Sequence, residues 1–484
     1  MQNNPFGNLH ISTESLLEFC PLKYKPGKVD RQGKQIEPDK LYSHQFNIGQ
    51  ILRHHPYWKN RLQYDELSNE IWINKAEPIG YQTPPGARSP EPVSGQENWV
   101  QFTDLDTYQL IDWFIDWYDI KADKNTILQA VWVVASENSS NPLIDYLDNL
   151  EPWDPKKEEP LLDTWLIRYF GVIDSVLARA YGRKILIAAL ARIYLATEKN
   201  PVKVDTLLSL YGGQGIKKST ALEALTFYNE FGRRYFSDAL LDMSSKDAVQ
   251  IIQGKVIYEL KELAKRTKDR NLEKAFIDMQ IDRVRVPWGK LPQNFVRRTV
   301  FIITTNDREI FSDPTGSRRF WPLECAVGWK KNQEIDTDTL MMEAVHLWRE
   351  ALYYLKEYKR ITQELEGLKK DKTISWDQYK EKRQELLEER EPFNWWLDKD
   401  QEELRELEAM DYTDQHPLTG KVLHEIQGIS TPLTMDKIMN MVFPEIGDKT
   451  RRNKAIVKDI LLTQGYKQYR DTTTNKAIRA WRKE

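Results

Sequence analysis

The chain has 484 residues, 40% hydrophobic and 30% charged, with a formal net charge of −3. This composition is ordinary for a soluble globular protein with room for two or three domains. No run approaches the roughly 18 to 20 apolar residues of a membrane span. Met1 to Leu9 lacks the basic-then-apolar order of a signal peptide, and two cysteines, Cys20 and Cys325, are too few for a disulfide framework. A membrane protein and a disulfide-stapled secreted domain are thereby excluded, and a cytoplasmic location with no membrane partner is expected. The small net charge hides uneven stretches. Residues 101–163 carry fourteen acidic side chains against four basic, 265–298 ten basic against four acidic, and 448–484 eleven basic against four acidic. The two basic stretches are candidate surfaces for meeting phosphates.

In chain order, residues 1–40 read as a tail broken by Pro26-Gly27 and Gln32-Gly33. An amphipathic run (Phe46, Ile48, Ile51, Leu52) and the alternating Ile71-Trp72-Ile73 predict mixed helix and strand from 41 to 72, followed by a Pro/Gly/Ser-rich link at 83–95. Helical spacing of Leu110, Trp113, Phe114 and Trp117 predicts helix through 103–150, punctuated by Pro152 and Pro155. The whole of 41–160 is expected to be a mostly helical domain. Residues 162–195 predict a helical pair. Three short apolar runs follow, 207–211, 256–258 and 300–303, and suit the buried parallel strands of an α/β domain over 161–330. A charged helical segment is expected over 331–412. A basic module of two or three short helices and a terminal hairpin, winged-helix-like in size and order, is expected over 413–484.

The strongest signal is Gly212-Gly213-Gln214-Gly215-Ile216-Lys217-Lys218-Ser219-Thr220, between a predicted strand and an amphipathic helix containing Leu222 and Leu225. That is the setting of a P-loop. Glycines let backbone N–H groups close on phosphates at a helix N-terminus. Lys218 is then placed for the β/γ-phosphates of ATP and Ser219 for Mg²⁺. The pattern G-x-x-x-x-G-K-[ST] asks for glycine where Lys217 stands, so this side chain is expected either to crowd the phosphates or to assist their binding. The second strand leads into Glu259 and Glu262, the candidates for holding Mg²⁺ and orienting the attacking water. Asn306, at the tip of the third, is placed to sense the γ-phosphate. Arg318 and Arg319, on the next loop, are placed to reach a neighbouring subunit's nucleotide. Between the second and third strands, Arg283, Arg285, Trp288 and Lys290 surround a Pro-Trp-Gly turn. They predict a basic hairpin that grips a nucleic-acid backbone, with an aromatic for stacking.

Together these motifs resemble the virulence-associated protein E family, a group of phage, plasmid and island-borne proteins akin to superfamily 3 and poxvirus-type primase-helicases. The resemblance is carried by 212–220, by Glu259-Leu260-Lys261-Glu262-Leu263, by Arg283 to Lys290, by Phe301 to Asp307 and by Asp313 to Pro322. Lys246-Asp247, Tyr146-Leu147, Trp153-Asp154 and Trp395-Trp396-Leu397 support it. It covers about 40–480 and is strongest over 205–323. It implies an α/β fold with a P-loop AAA+-like core, an N-terminal helical collar and a C-terminal accessory domain. It also implies hydrolysis of ATP with Mg²⁺ and assembly into a homo-oligomeric ring, expected to be hexameric. Lys217 departs from the family's most diagnostic loop, which bears on turnover more than on fold. No primase module is read in the N-terminal region, so any primase is expected to be a separate partner. The resulting expectation is an ATP-dependent DNA helicase or translocase of phage or mobile-element replication. It would work in the cytoplasm of a bacterial host on single-stranded or forked DNA. Two alternatives stand beside it. One is an ATP-switched DNA-binding or partner-loading module with weak turnover, favoured if Lys217 blocks hydrolysis. The other is a nucleotide-driven assembly or defence-type NTPase without DNA.

Overall fold

The amphipathic run after His44 becomes a helix whose Ile48, Ile51 and Leu52 share one fully buried face. The computed structural model describes residues 22–35, 40–55, 57–75, 99–226, 235–245, 247–261, 270–285, 291–306, 319–330, 332–371, 373, 375–411, 422, 425–426, 433–442, 454, 457–458, 461, 466–471 and 478–483. By internal contacts the chain divides into two compact units. One comprises 1–151 with the short insertions 226–235 and 252–255, the other the remainder.

The first unit contains β1 (Tyr24–Lys25), β2 (Lys40–Leu41), α1 (Gln45–His54), β3 (Leu62–Asp65), β4 (Glu70–Asn74), β5 (Trp99–Gln101), α2 (Asp104–Tyr118), α3 (Lys124–Glu137), β6 (Ser139–Ser140) and α4 (Pro142–Asn149). Its helices start where short polar side chains can cap them. The Asp106 carboxylate accepts from the Thr103 N–H at 2.7 Å, Asp123 from the Thr126 N–H at 3.0 Å, and Asn141 from the Ile144 N–H at 3.3 Å. Leu110 and Phe114 of α2 join Ile48, Leu52, Trp58 and Val131 in one core. The helices are accompanied by a four-stranded sheet of order β5-β4-β3-β6, so the region is a mixed α/β unit. Its strands are only two to five residues long, and β4 contains the alternating Ile71-Trp72-Ile73.

The second unit opens with α5 (Trp165–Phe170) and α6 (Val176–Tyr194). Buried residues run through α6 from Leu177 to Ile193 on every face, including Lys184 and Arg192. There follow β7 (Leu207–Tyr211), α7 (Lys218–Ala224), β8 (Phe236–Ser237), α8 (Ala248–Ile252), β9 (Ile257–Lys261), α9 (Arg270–Asp278), β10 (Ile281–Arg285), β11 (Pro292–Val296), β12 (Val300–Thr305) and β13 (Phe320–Glu324). β7, β8, β9, β12 and β13 form one parallel sheet of order β13-β7-β12-β9-β8. Numbered along the chain, the five strands read 5-1-4-3-2 across the sheet. The three apolar runs make its centre. β7 and β12 are buried at every position, as strands covered on both faces must be. β9 continues to Lys261, past the apolar run, so Glu259 lies inside the strand, opposite Ile302 of β12.

β10 and β11 form the expected hairpin, with Arg283 opposite Asn294 and Arg285 opposite Pro292. Beyond β13 come α10 (Thr337–Lys370), α11 (Trp376–Arg390), α12 (Lys399–Asp411), β14 (Leu433–Thr434), α13 (Met435–Val442), β15 (Tyr466–Asp471) and β16 (Ile478–Lys483). The last strands pair in the order β14-β16-β15 around Val422, Ile438, Val457 and Trp481. Among the described residues no helix is long and apolar enough to cross a membrane.

α10 is fastened to the sheet unit by polar groups as well as by its apolar face. Trp348 Nε1 donates to the Leu225 carbonyl at 2.7 Å, and Arg349 makes a forked pair with Glu158 at 2.8 and 2.9 Å. Glu350 is 1% exposed and accepts from the Leu161 and Leu162 N–H groups, both at 2.8 Å. Burial outweighs those two bonds and raises its carboxyl to about 7. Because the folded value lies above the unfolded one, the folded chain binds the extra proton between them. Glu350 therefore favours the fold below the ordinary glutamate range, and that contribution is lost as pH rises through about 7. From about pH 5 to about pH 8 the loss is on the order of 3 kcal/mol. Glu350→Gln keeps an oxygen for both N–H groups without the charge. Its melting temperature should match wild type at about pH 5 and exceed it at about pH 8. Parallel pH profiles for the two proteins would contradict this.

Candidate functional site

The loop 212–217 leaves β7 at the carboxyl end of the parallel sheet and enters α7 directly. Three of its residues have positive φ: Gly212 at 150°, Gly215 at 85° and Lys217 at 67°. Gly212 is required twice over, because a Cβ there would also lie 2.9 Å from the Cys325 carbonyl oxygen. The loop is pinned at its root: the Gly212 N–H donates to Thr305 O at 3.2 Å and the Cys325 N–H to Tyr211 O at 2.7 Å.

Lys218 is 8% exposed, and its Nζ donates to Gly212 O (3.0 Å), Gly213 O (2.9 Å) and Asn306 Oδ1 (3.2 Å). Burial holds its ammonium below the usual lysine range. Asn306, immediately after β12, is thus brought to the loop. Ser219 Oγ donates to Glu259 Oε1 at 2.6 Å, and Thr304 Oγ1 donates to the same oxygen. Glu259 is 1% exposed, and its Oε2 accepts no hydrogen bond from the described residues. Lys261 Nζ lies 3.7 Å from that Oε2 and 2.5 Å from Asp238 Oδ2. Gln214 to Thr220, Lys261, Thr304, Thr305 and Asn306 line one open depression of about 500 Å³. Gly213, Gln214, Gly215 and Thr220 are exposed on its rim, with Ile216 partly so.

Lys217 is among the residues that line this depression. Its backbone takes the left-handed conformation that makes glycine usual at this position, and its ammonium pairs with Glu334 at 2.6 Å. The next residue along, Ile335, donates its N–H to Ile216 O at 3.2 Å. The segment leading into α10 therefore braces the loop from outside.

The remaining predicted residues lie elsewhere. Arg319 immediately precedes β13, at the end of the sheet opposite the loop. It is held in a bidentate pair with Asp278 at 2.5 and 2.9 Å, its side chain 11% exposed. Arg283 is exposed on β10, and Arg285 lies at that strand's end. Glu262, Trp288, Lys290, Arg318 and the side chain of Arg285 lie outside the described residues. No group of three or more potential metal-binding His, Cys, Asp or Glu side chains occurs among the described residues. Sequence reasoning missed Thr304, Lys261, Asp238 and Glu334. For the first two a signal existed. The two-residue period of a strand puts Thr304 on the face of Asn306 and Lys261 on the face of Glu259.

Lys217→Gly relieves a left-handed non-glycine backbone at the loss of a half-exposed ion pair, and exposed pairs contribute little. The variant should melt at the wild-type temperature or a few degrees above it. A clear drop in a thermal melt would mean that the Glu334 contact outweighs the backbone strain.

A sequence model for the virulence-associated protein E-like domain matches residues 147–388, half of the chain. Among solved structures, the chain is similar to the A-form apo C-terminal region of NrS-1, residues 305–718. That match has 17% identity and a TM-score of 0.31, and covers 69% of this chain and 77% of that one. A second apo structure of the same region matches at 16% identity over the same shares, with a TM-score of 0.33. No curated protein matches. By the span of the domain match, this chain belongs to the virulence-associated protein E-like family.

Proposed function

We propose that the chain is an ATP-dependent DNA helicase or translocase of phage or mobile-element replication, built on a P-loop AAA+-like core and working as a homo-oligomeric ring. One observation carries the nucleotide reading. Lys218 and Ser219 at the start of α7, Glu259 of β9, and Thr304 and Asn306 at the end of the adjacent β12 meet at the glycine loop. The 5-1-4-3-2 strand order supports the AAA+-like assignment. In this reading the loop N–H groups and Lys218 bind the phosphates, and Asn306 faces the terminal one. Ser219 and Glu259 form an all-oxygen pair whose buried Oε2 has a lone pair to offer, which fits a hard cation such as Mg²⁺. Mg²⁺ there would neutralise charge developing on the transferring phosphoryl group. Thr304 holds the Glu259 carboxylate in place for that task.

The pairing of Lys217 with Glu334 supports turnover over the ATP-switch alternative, which a Lys217 that blocked hydrolysis would have favoured. Arg319 is already engaged within its own chain, so the role in trans passes to Arg318. Arg283 and Arg285 of β10, with Trp288 and Lys290 of the turn expected from the sequence, would hold single-stranded or forked DNA. The basic C-terminal module would add phosphate contacts.

The decisive experiment measures ATP hydrolysis with and without single-stranded DNA, alongside the oligomeric mass. Turnover stimulated by DNA in an oligomer is expected, and Lys218→Ala should abolish nucleotide binding. ATP hydrolysis by Lys218→Ala at the wild-type rate would sink the loop's assigned register, and assembly and turnover indifferent to DNA would favour the DNA-free NTPase. Arg318→Ala should keep ATP affinity and lose hydrolysis by a factor on the order of 10³. Mixing it with Lys218→Ala should restore part of the activity. Arg319→Ala should instead lower the melting temperature. No rescue in well-mixed oligomers would place the arginine's action within its own subunit.

A further inference from the structure

The depression above the sheet holds two inward ammonium groups under different restraint. Lys218 is buried and held by neutral acceptors, two loop carbonyls and an amide. Lys261 is about a third exposed and is held by two carboxylates, Asp238 at 2.5 Å and Glu259 Oε2 at 3.7 Å. It lines the same wall as Thr304, Thr305 and Asn306. Asp238 directly follows β8, the strand beside β9 at the sheet edge, so the pair is set by the sheet itself. A divalent cation on Glu259 would repel the neighbouring ammonium. The long stem of a partly exposed lysine lets its head turn into the depression without moving the backbone. The group arriving there with the charge to receive it is a distal phosphate.

We propose that Lys261 is a second phosphate-facing cation. It neutralises Glu259 and Asp238 until the nucleotide and its metal are bound, then contacts the distal phosphate, so that the site prefers a nucleoside triphosphate over a diphosphate. Asp238 is the positioning residue that keeps the ammonium at the wall. The inference rests on the reading of residues 212–220 as an ATP site.

The test uses the full chain and fluorescent analogues of ATP and ADP, titrated both in EDTA and in Mg²⁺. Lys261→Met should weaken the ATP analogue about tenfold in Mg²⁺, the effect of one charge-assisted hydrogen bond, and the ADP analogue by less than about twofold. The effect on the ATP analogue should shrink in EDTA, where Lys261 stays on its carboxylates. Lys261→Arg should restore the wild-type ratio of the two affinities. If Lys261→Met melts early, Lys261→Gln, which keeps much of the stem without the charge, takes its place. An unchanged ATP-to-ADP ratio in the uncharged variant, or an equal loss for both analogues, overturns the proposal. Failure of the underlying ATP reading looks different: wild type binds neither analogue, or Lys218→Ala binds both as wild type does.

Discussion

The buried carboxylate of Glu259 is the constraint on which the rest of the site depends. A carboxylate 1% exposed inside a parallel sheet is costly unless donors or cations meet it. Here Ser219 and Thr304 share one oxygen, and the Lys261 ammonium stands near the other. Those contacts fasten α7 to β9 and β12 at once, and so hold the glycine loop over the strand ends. Lys218, the residue before Ser219, reaches back over the loop, where its ammonium bridges the loop carbonyls and Asn306. Moving Ser219, Thr304 or Lys218 would leave a buried polar atom unsatisfied.

Backbone conformation explains why the loop tolerates its unusual lysine. The usual glycine at that position answers a demand for positive φ, and Lys217 meets the same demand at 67°. The strain of a side chain there is small, and the side chain is directed to Glu334. Gly212 has no such latitude, because its Cβ would strike the Cys325 carbonyl. The two positions thus differ in what replaces glycine: strain alone at 217, strain and collision at 212.

At the far end of the sheet, two guanidinium–carboxylate forks tie α9, the hairpin and the start of β13 together. Arg297 is fully buried against Asp282 at 2.5 and 2.9 Å, with Phe276 4.4 Å from its guanidinium, and Arg319 grips Asp278. Bidentate forks fix orientation as well as distance. The hairpin proposed to hold DNA is therefore mounted on an anchored base, and Asp282, the acidic residue just before Arg283, belongs to that anchor.

Local pattern made a large part of this molecule legible in the sequence. The glycine loop between strand and helix, the central strands, the hairpin, and the helices within 103–150 and 162–195 all show in runs of a few residues, because periodicity and turn chemistry act over that range. Glu259 and Asn306 were legible because each lies in or just after an apolar strand run. What only the tertiary structure decided is which distant groups meet. Glu259 takes donors 40 and 45 residues away, Arg319 a carboxylate 41 residues back, and Lys217 a glutamate in the segment before α10. β8, two residues long, leaves no periodic trace, yet the residue after it restrains Lys261. Such pairings follow from strand order and burial, and neither is written in the residues adjacent to the pair.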